Sequence, residues 1–330
     1  MNRSAALWVV GLLLLGAVLF ALGCGVGSEG WAWPLADVSD PVSAQILWDI
    51  RVPRNLGAWI GGALLGLSGA VAQGLFRNPL ADPYLLGSSA GASLGVSLYL
   101  SAAGSSWVTL AAWERLGSTG AAFVGAMVAV GLTLMLSRGM QHTFRLLLAG
   151  VVVGVVLAAL ASLVALLDPA MWQTLQSFML GSASMLDRAA CAVMGLVLML
   201  CWGVSTWWAR VLDALHLGED TARSLGMPLA WARWGLVATL SLATGTAVAQ
   251  MGLIAFIGLA APHAVRSTLL LTHAGLLLLS ALMGGVLLLA SDILARLVWA
   301  PQELPVGILT SVLGGTYLLW RLQRSATRAS

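Results

Sequence analysis

Long apolar stretches separated by short polar links, not an alternation of apolar and polar residues, set the pattern of this chain. Ten such stretches stand out, over 5–24, 55–76, 84–103, 119–138, 145–167, 188–209, 231–250, 252–268, 275–298 and 306–322. Several reach the ~20 residues that a helix needs to cross ~30 Å of hydrocarbon. The period-2 alternation of a membrane barrel, in segments of ~10 residues, does not occur. A backbone exposed to lipid must satisfy its own hydrogen bonds, so the spans are helices. The pattern predicts an all-α, polytopic bundle of about ten transmembrane helices, forming a single domain over 1–330.

Composition agrees: 59% of the 330 residues are hydrophobic and 9% charged, against roughly half and a quarter in soluble domains. Asn2-Arg3 ahead of the first apolar run, and Ala21-Leu22-Gly23-Cys24 at its end, faintly resemble a cleaved signal. With so many later spans, an uncleaved first helix is the better reading. All sixteen basic residues are arginine. A cytoplasmic N-terminus puts eleven of them inside and leaves five outside, Arg51, Arg54, Arg115, Arg188 and Arg296. The positive-inside rule favours that orientation, with both termini cytoplasmic.

Between the fifth and sixth stretches, 171–181 is too short to span and too apolar for a free loop, which predicts a short re-entrant or surface helix on the outer side. Gly57, Gly61 or Gly62, Gly66 and Gly69 or Ala70 recur at helix-packing spacing, as do Gly87, Gly91 and Gly95. Both helices are expected inside the bundle, where small residues let backbones approach. Ala70-Val71-Ala72-Gln73 recurs as Ala247-Val248-Ala249-Gln250 on a helix of opposite direction, which hints at an inverted repeat of helices 2–5 and 7–10.

Local chemistry is sparse. Cys24, Cys191 and Cys201 lack metal-ligand or paired spacing and read as packing residues. Asn78, Asp82, Pro79 and Pro83 break the chain between the second and third stretches, and Asp82 is placed to cap the third helix. His263 follows Pro262, which frees carbonyls that the imidazole is expected to satisfy. No histidine pair, nucleophile elbow or paired acid suggests a catalytic centre, a metal site or a resident cofactor. An ion-coupled transporter would place carboxylates near the bilayer midplane, and only Asp292 comes close.

The most informative segment is 217–227, in the long link after the sixth stretch. Leu217-Gly218-Glu219-Asp220-Thr221-Ala222-Arg223-Ser224-Leu225-Gly226-Met227 reads as a short amphipathic helix, with acids at its N-terminus and arginine further along to suit the dipole. Ala222 and Gly226, four apart, would offer a small-residue face to another protein.

This segment resembles the coupling helix of the FecCD-type permeases, membrane subunits of ABC importers for siderophores, haem and cobalamin. The likeness covers nearly the whole chain, through Arg51-Val52-Pro53-Arg54, Ser68-Gly69-Ala70-Val71-Ala72-Gln73, Arg77-Asn78-Pro79-Leu80-Ala81-Asp82-Pro83, Leu146-Leu147-Leu148-Ala149-Gly150, the run from Phe256 to Arg266 and Glu303-Leu304-Pro305-Val306-Gly307. The resemblance implies a homodimer in the bacterial inner membrane, two cytoplasmic ABC ATPase subunits and a periplasmic substrate-binding protein, with membrane lipid around it and no nucleic acid. It implies docking of the binding protein on Arg51, Arg54 and Arg296, although Arg296 could instead pair with Asp292 one turn earlier. It also places a cytoplasmic gate at His142 and Thr143. A chain without lysine cannot form a Walker loop, so ATP is expected on a partner. The expected cargo is an iron chelate, haem or a ferric siderophore, with cobalamin the alternative.

Overall fold

The computed structural model describes residues 3–27, 30–31, 41–103, 112–137, 143–167, 172, 176 and 178–329. Its helices are α1 (Arg3–Gly25), α2 (Pro41–Gln45), α3 (Val52–Leu75), α4 (Ser88–Ala103), α5 (Ala112–Leu136), α6 (Thr143–Leu167), α7 (Arg188–Trp207), α8 (Ala209–His216), α9 (Glu219–Ser224), α10 (Leu229–Met251), α11 (Ile257–Thr268), α12 (His273–Leu297) and α13 (Val306–Ala329). A two-stranded antiparallel ribbon, Val26–Gly27 against Gly30–Trp31, follows α1. Each of the ten expected spans falls on a helix. Among the described residues six helices are long and apolar enough to cross a membrane by length and composition. The chain is therefore an all-α, polytopic membrane protein.

Burial sorts the helices into two kinds. In α3 almost every residue from Pro53 to Leu75 is buried, with Leu56 and Trp59 the departures. It is entered through a π-helical stretch, Ile46–Arg51, and Pro53 occupies a first-turn position, where its missing N–H costs nothing. Gly62 and Gly66 face the Gly284 and Ser280 carbonyls of α12 so closely that a Cβ on either would overlap them. This small-residue contact lets the two central backbones approach, since apolar burial alone cannot drive association within lipid. By contrast α1 and α6 are apolar on all sides and leave most of their surface outward, as expected of helices solvated by acyl chains.

The two halves pack alike. α3 packs on α12 as α10 packs on α5, α4 on α5 as α11 on α12, and α3 on α11 as α10 on α4. Gln73 and Gln250, the paired ends of the repeated string, are both buried and bond to Leu259 O and Thr119 Oγ1.

Three boundaries differ from the sequence expectation. The expected 84–103 helix begins with a 3₁₀ turn, Pro83–Leu86, which Gly87 ends with φ 77°, so α4 starts only at Ser88. Asp82 caps that turn, accepting from Tyr84 N at 2.8 Å, and not the α-helix. The expected 252–268 helix starts at Ile257, because Gly252 and Phe256 both adopt positive φ. The extended link between them is held by Leu253 N to Phe178 O, 2.9 Å, and Ser182 N to Met251 O, 2.8 Å. Five positions of the expected 171–181 helix, 171, 173–175 and 177, lie outside the described residues; 178–180 is helical and supplies part of this support. Finally, the 188–209 stretch breaks at Trp208, and its continuation is the separate helix α8.

Candidate functional site

Two polar clusters occupy opposite ends of the bundle. Exposed tryptophans accompany both, Trp207, Trp231 and Trp234 at one end and Trp48 and Trp299 at the other, the positions where amphipathic rings favour the headgroup layer.

At the first end, α8 and α9 form a ledge. α8 buries Ala209, Val211, Leu212, Ala214 and Leu215 and turns its polar side away. Gly218 (φ 116°) and Gly226 (φ 72°) bracket α9 and turn the chain at each end. Glu219, in the first turn, suits the positive helix terminus. It is held by Arg223 on its own helix and by Arg233 of α10 at 2.8 Å. The hydrogen bond from Arg233 holds the Glu219 carboxyl below the usual carboxylate range, with Arg233, Arg223 and Arg77 adding attraction. A second tie comes from Asp213, which accepts from His273 N at 2.9 Å and meets His273 Nδ1 at 2.7 Å. The ledge is thus fastened to α10 and to the first residue of α12.

The expected small-residue face is corrected here. Ala222 is 0% exposed and packs into the core, whereas Gly226 is exposed. The surface α9 presents outward is instead Asp220, Thr221, Arg223 and Ser224, flanked by Leu217 (70% exposed) and Leu225 (58% exposed). Amphipathic spacing identified the helix, but which side meets the body depended on α10 and α12.

At the opposite end, the three expected docking residues sit in different settings. Arg54 sets Nε and Nη2 against Asp292, Nη2 to Oδ1 at 3.0 Å, and Nη1 on Glu303 Oε2 at 2.7 Å. Arg296 pairs with Asp292 Oδ2 at 2.9 Å and donates to Asn55 Oδ1 at 2.7 Å, Val26 O at 3.0 Å, Gly23 O at 3.1 Å and Asp292 O at 3.3 Å. Both Arg296 and Asp292 are 1% exposed. The Arg296–Asp292 pairing weighed from spacing is present, inside a cluster that joins α1, α3 and α12. Arg51 is part-exposed and donates to Cys24 O at 2.9 Å. Asp292, the carboxylate an ion-coupled mechanism would need, is matched by two guanidiniums.

The remaining expectations have simple placements. His142 lies outside the described residues, and Thr143 opens α6. The His263 ring meets that of Tyr317 edge-on at 6.0 Å. Asn78 Oδ1 accepts from Leu80 N, a turn contact. Cys191 donates to Pro53 O and Cys201 to Thr239 O, both as buried packing groups. Between the two ends runs an open groove of about 340 Å³ bordered by Tyr84, Ser89, Ser93, Gly150, Gly154 and Leu253, without a charged residue in its lining. Among the described residues no cluster could hold a metal ion.

Comparison with known proteins matches residues 12–324 to the FecCD transport family. The chain is 38% identical over 329 residues to the vitamin B12 import system permease protein BtuC of Escherichia coli O157:H7, covering 98% of this chain and 97% of that one. It is 37% identical over 330 residues to the hemin transport system permease protein HmuU of Yersinia pestis, with the same coverage. A solved metal-chelate type ABC transporter in an inward-facing conformation superposes with a TM-score of 0.81 at 26% identity, covering 96% of this chain and 98% of that one. With its polytopic helical fold and its family match running almost end to end, the chain belongs to the FecCD transport family, the membrane-spanning permeases of ABC importers.

Proposed function

We propose that this permease, as a homodimer in the bacterial inner membrane with both termini cytoplasmic, carries an iron chelate from periplasm to cytoplasm. The ledge is the cytoplasmic coupling element, and ATP is hydrolysed by two partner subunits that seat on it. The observation that carries this reading is the fastening of α9. Its outward surface, Leu217 to Leu225, is free to receive another protein, while Glu219–Arg233 and Asp213–His273 link it to α10 and α12. Movement imposed on the ledge therefore reaches two transmembrane helices without passing through a flexible linker. A cargo with a large apolar ring fits an uncharged groove such as that beside Tyr84 and Gly150, because a path that releases its load requires weak contacts, not a coordination cage. A carrier role for Thr143 and His142 as the gate is part of the same proposal.

Leu225→Arg puts a charge on the outward surface of the ledge without touching the core. It is expected to abolish co-elution of the ATPase subunit while leaving the thermal unfolding of the permease unchanged. The similarity to BtuC supports cobalamin as a second reading of the cargo, as that to HmuU supports haem. Proteoliposomes holding the full transporter distinguish them. ATP-dependent accumulation of iron-labelled haemin or a ferric siderophore is expected, and accumulation of cyanocobalamin alone would overturn the iron assignment.

A further inference from the structure

At the end of the bundle opposite the ledge, Arg54 divides its donors between two acids of unequal standing. Asp292 takes Nε and Nη2 and is buried, whereas Glu303 takes Nη1 alone and is 27% exposed at its side chain. The Arg296 guanidinium is saturated, with three carbonyls, the Asn55 amide oxygen and the Asp292 carboxylate around it. Asp292 and Arg296 therefore form the fixed part of the cluster. The Arg54–Glu303 bond is the part that solvent, or another protein, can reach.

Glu303 belongs to the link between α12 and α13, in which Leu304 packs against the core and Gln302 N bonds to Trp299 O at 2.9 Å. Leu304 N bonds to Ala295 O at 3.2 Å, and α13 begins two residues later with Gly307 N on Gly181 O at 3.2 Å. α13 in turn closes one side of a groove with Phe256 ahead of α11, Ala260 of α11 and Leu287 of α12.

We infer that Glu303 is an internal stand-in for an acidic side chain of the substrate-binding protein: docking exchanges one carboxylate for another on Arg54 Nη1 and frees the 299–305 link. The exchange conserves charge, since one carboxylate leaves the guanidinium as another arrives. It makes docking reversible, because Glu303 remains tethered nearby to reclaim its place. This inference rests on the binding protein docking at this face.

The test uses the complete transporter in nanodiscs with its binding protein, comparing wild type, Glu303→Gln and Glu303→Asp. The expected result has two parts. Glu303→Gln tightens binding by about threefold or more while Glu303→Asp stays near wild type, and docking on wild type speeds amide exchange across 299–310. Tighter binding with no change in that exchange would mean that Glu303 only repels an acidic partner, and the exchange of carboxylates would be wrong. Unchanged binding by Glu303→Gln would overturn it as well. If the binding protein fails to bind wild type although the ATPase co-purifies, the docking reading itself falls, and this inference with it.

Discussion

The two ends of the molecule are built from the same residue types, arginines and carboxylates, and behave as opposites. The Arg54–Asp292–Arg296 cluster is buried and draws on three helices and a ribbon strand. The Glu219–Arg223–Arg233 cluster of the ledge lies near the surface, with the Arg223 side chain largely in water. Burial decides the difference. Charges withdrawn from water cost several kcal/mol each unless every one is paired, so the buried cluster tolerates no missing member. Exposed pairs are screened and are worth little, so the ledge is held firmly only where Arg233 and Asp213 fasten it. One end clasps the bundle, and the other leaves an exposed surface fastened at two points.

The comparison can be broken most severely at Asp292. Asp292→Asn leaves Arg54 and Arg296 sharing the one partly exposed carboxylate of Glu303, and the expected loss is on the order of 3–5 kcal/mol. Thermal unfolding in detergent measures it, and a melting temperature equal to that of wild type would contradict the clasp. A smaller effect is expected from acid at the ledge. Because the folded carboxyl of Glu219 titrates below its ordinary range, its contribution is fully present above the unfolded value of about 4.3 and is lost as pH falls through the lower folded value. The protection factors of the amides across 219–226, taken relative to the intrinsic exchange rate at each pH, should stay flat from pH 8 to 5 and fall only below about pH 4. The smallest effect belongs to Arg223→Ala, which removes exposed pairs to Glu219 and Asp220. It should cost roughly 0.2–1 kcal/mol, with the ledge still bound through Arg233. A loss matching that of Asp292→Asn would erase the distinction between the two ends.

Much of this was legible in the chain. Apolar length and glycine spacing placed the helices and marked α3 as central, because the requirements of lipid act locally on any segment that crosses it. Acids ahead of an arginine located α9 for a similarly local reason, the helix dipole. The Arg296–Asp292 pair was visible as an i, i+4 spacing. The breaks at Gly87, Trp208 and Gly252 were not, since the apolar run continues through each while the turn depends on contacts from elsewhere. The bonds of Leu253 and Ser182, which reach across some seventy residues, are one such case.

By itself the sequence determined that the chain spans a membrane as helices and which segment projects as a ledge, because these follow from composition and short-range periodicity. The tertiary structure alone decided that Ala222 faces inward, that Arg54 reaches Asp292 inside the bundle, and that Asp213 meets His273. Those pairings join residues 60 to 238 positions apart, and no local pattern encodes which distant charge will be present when a buried one must be neutralised.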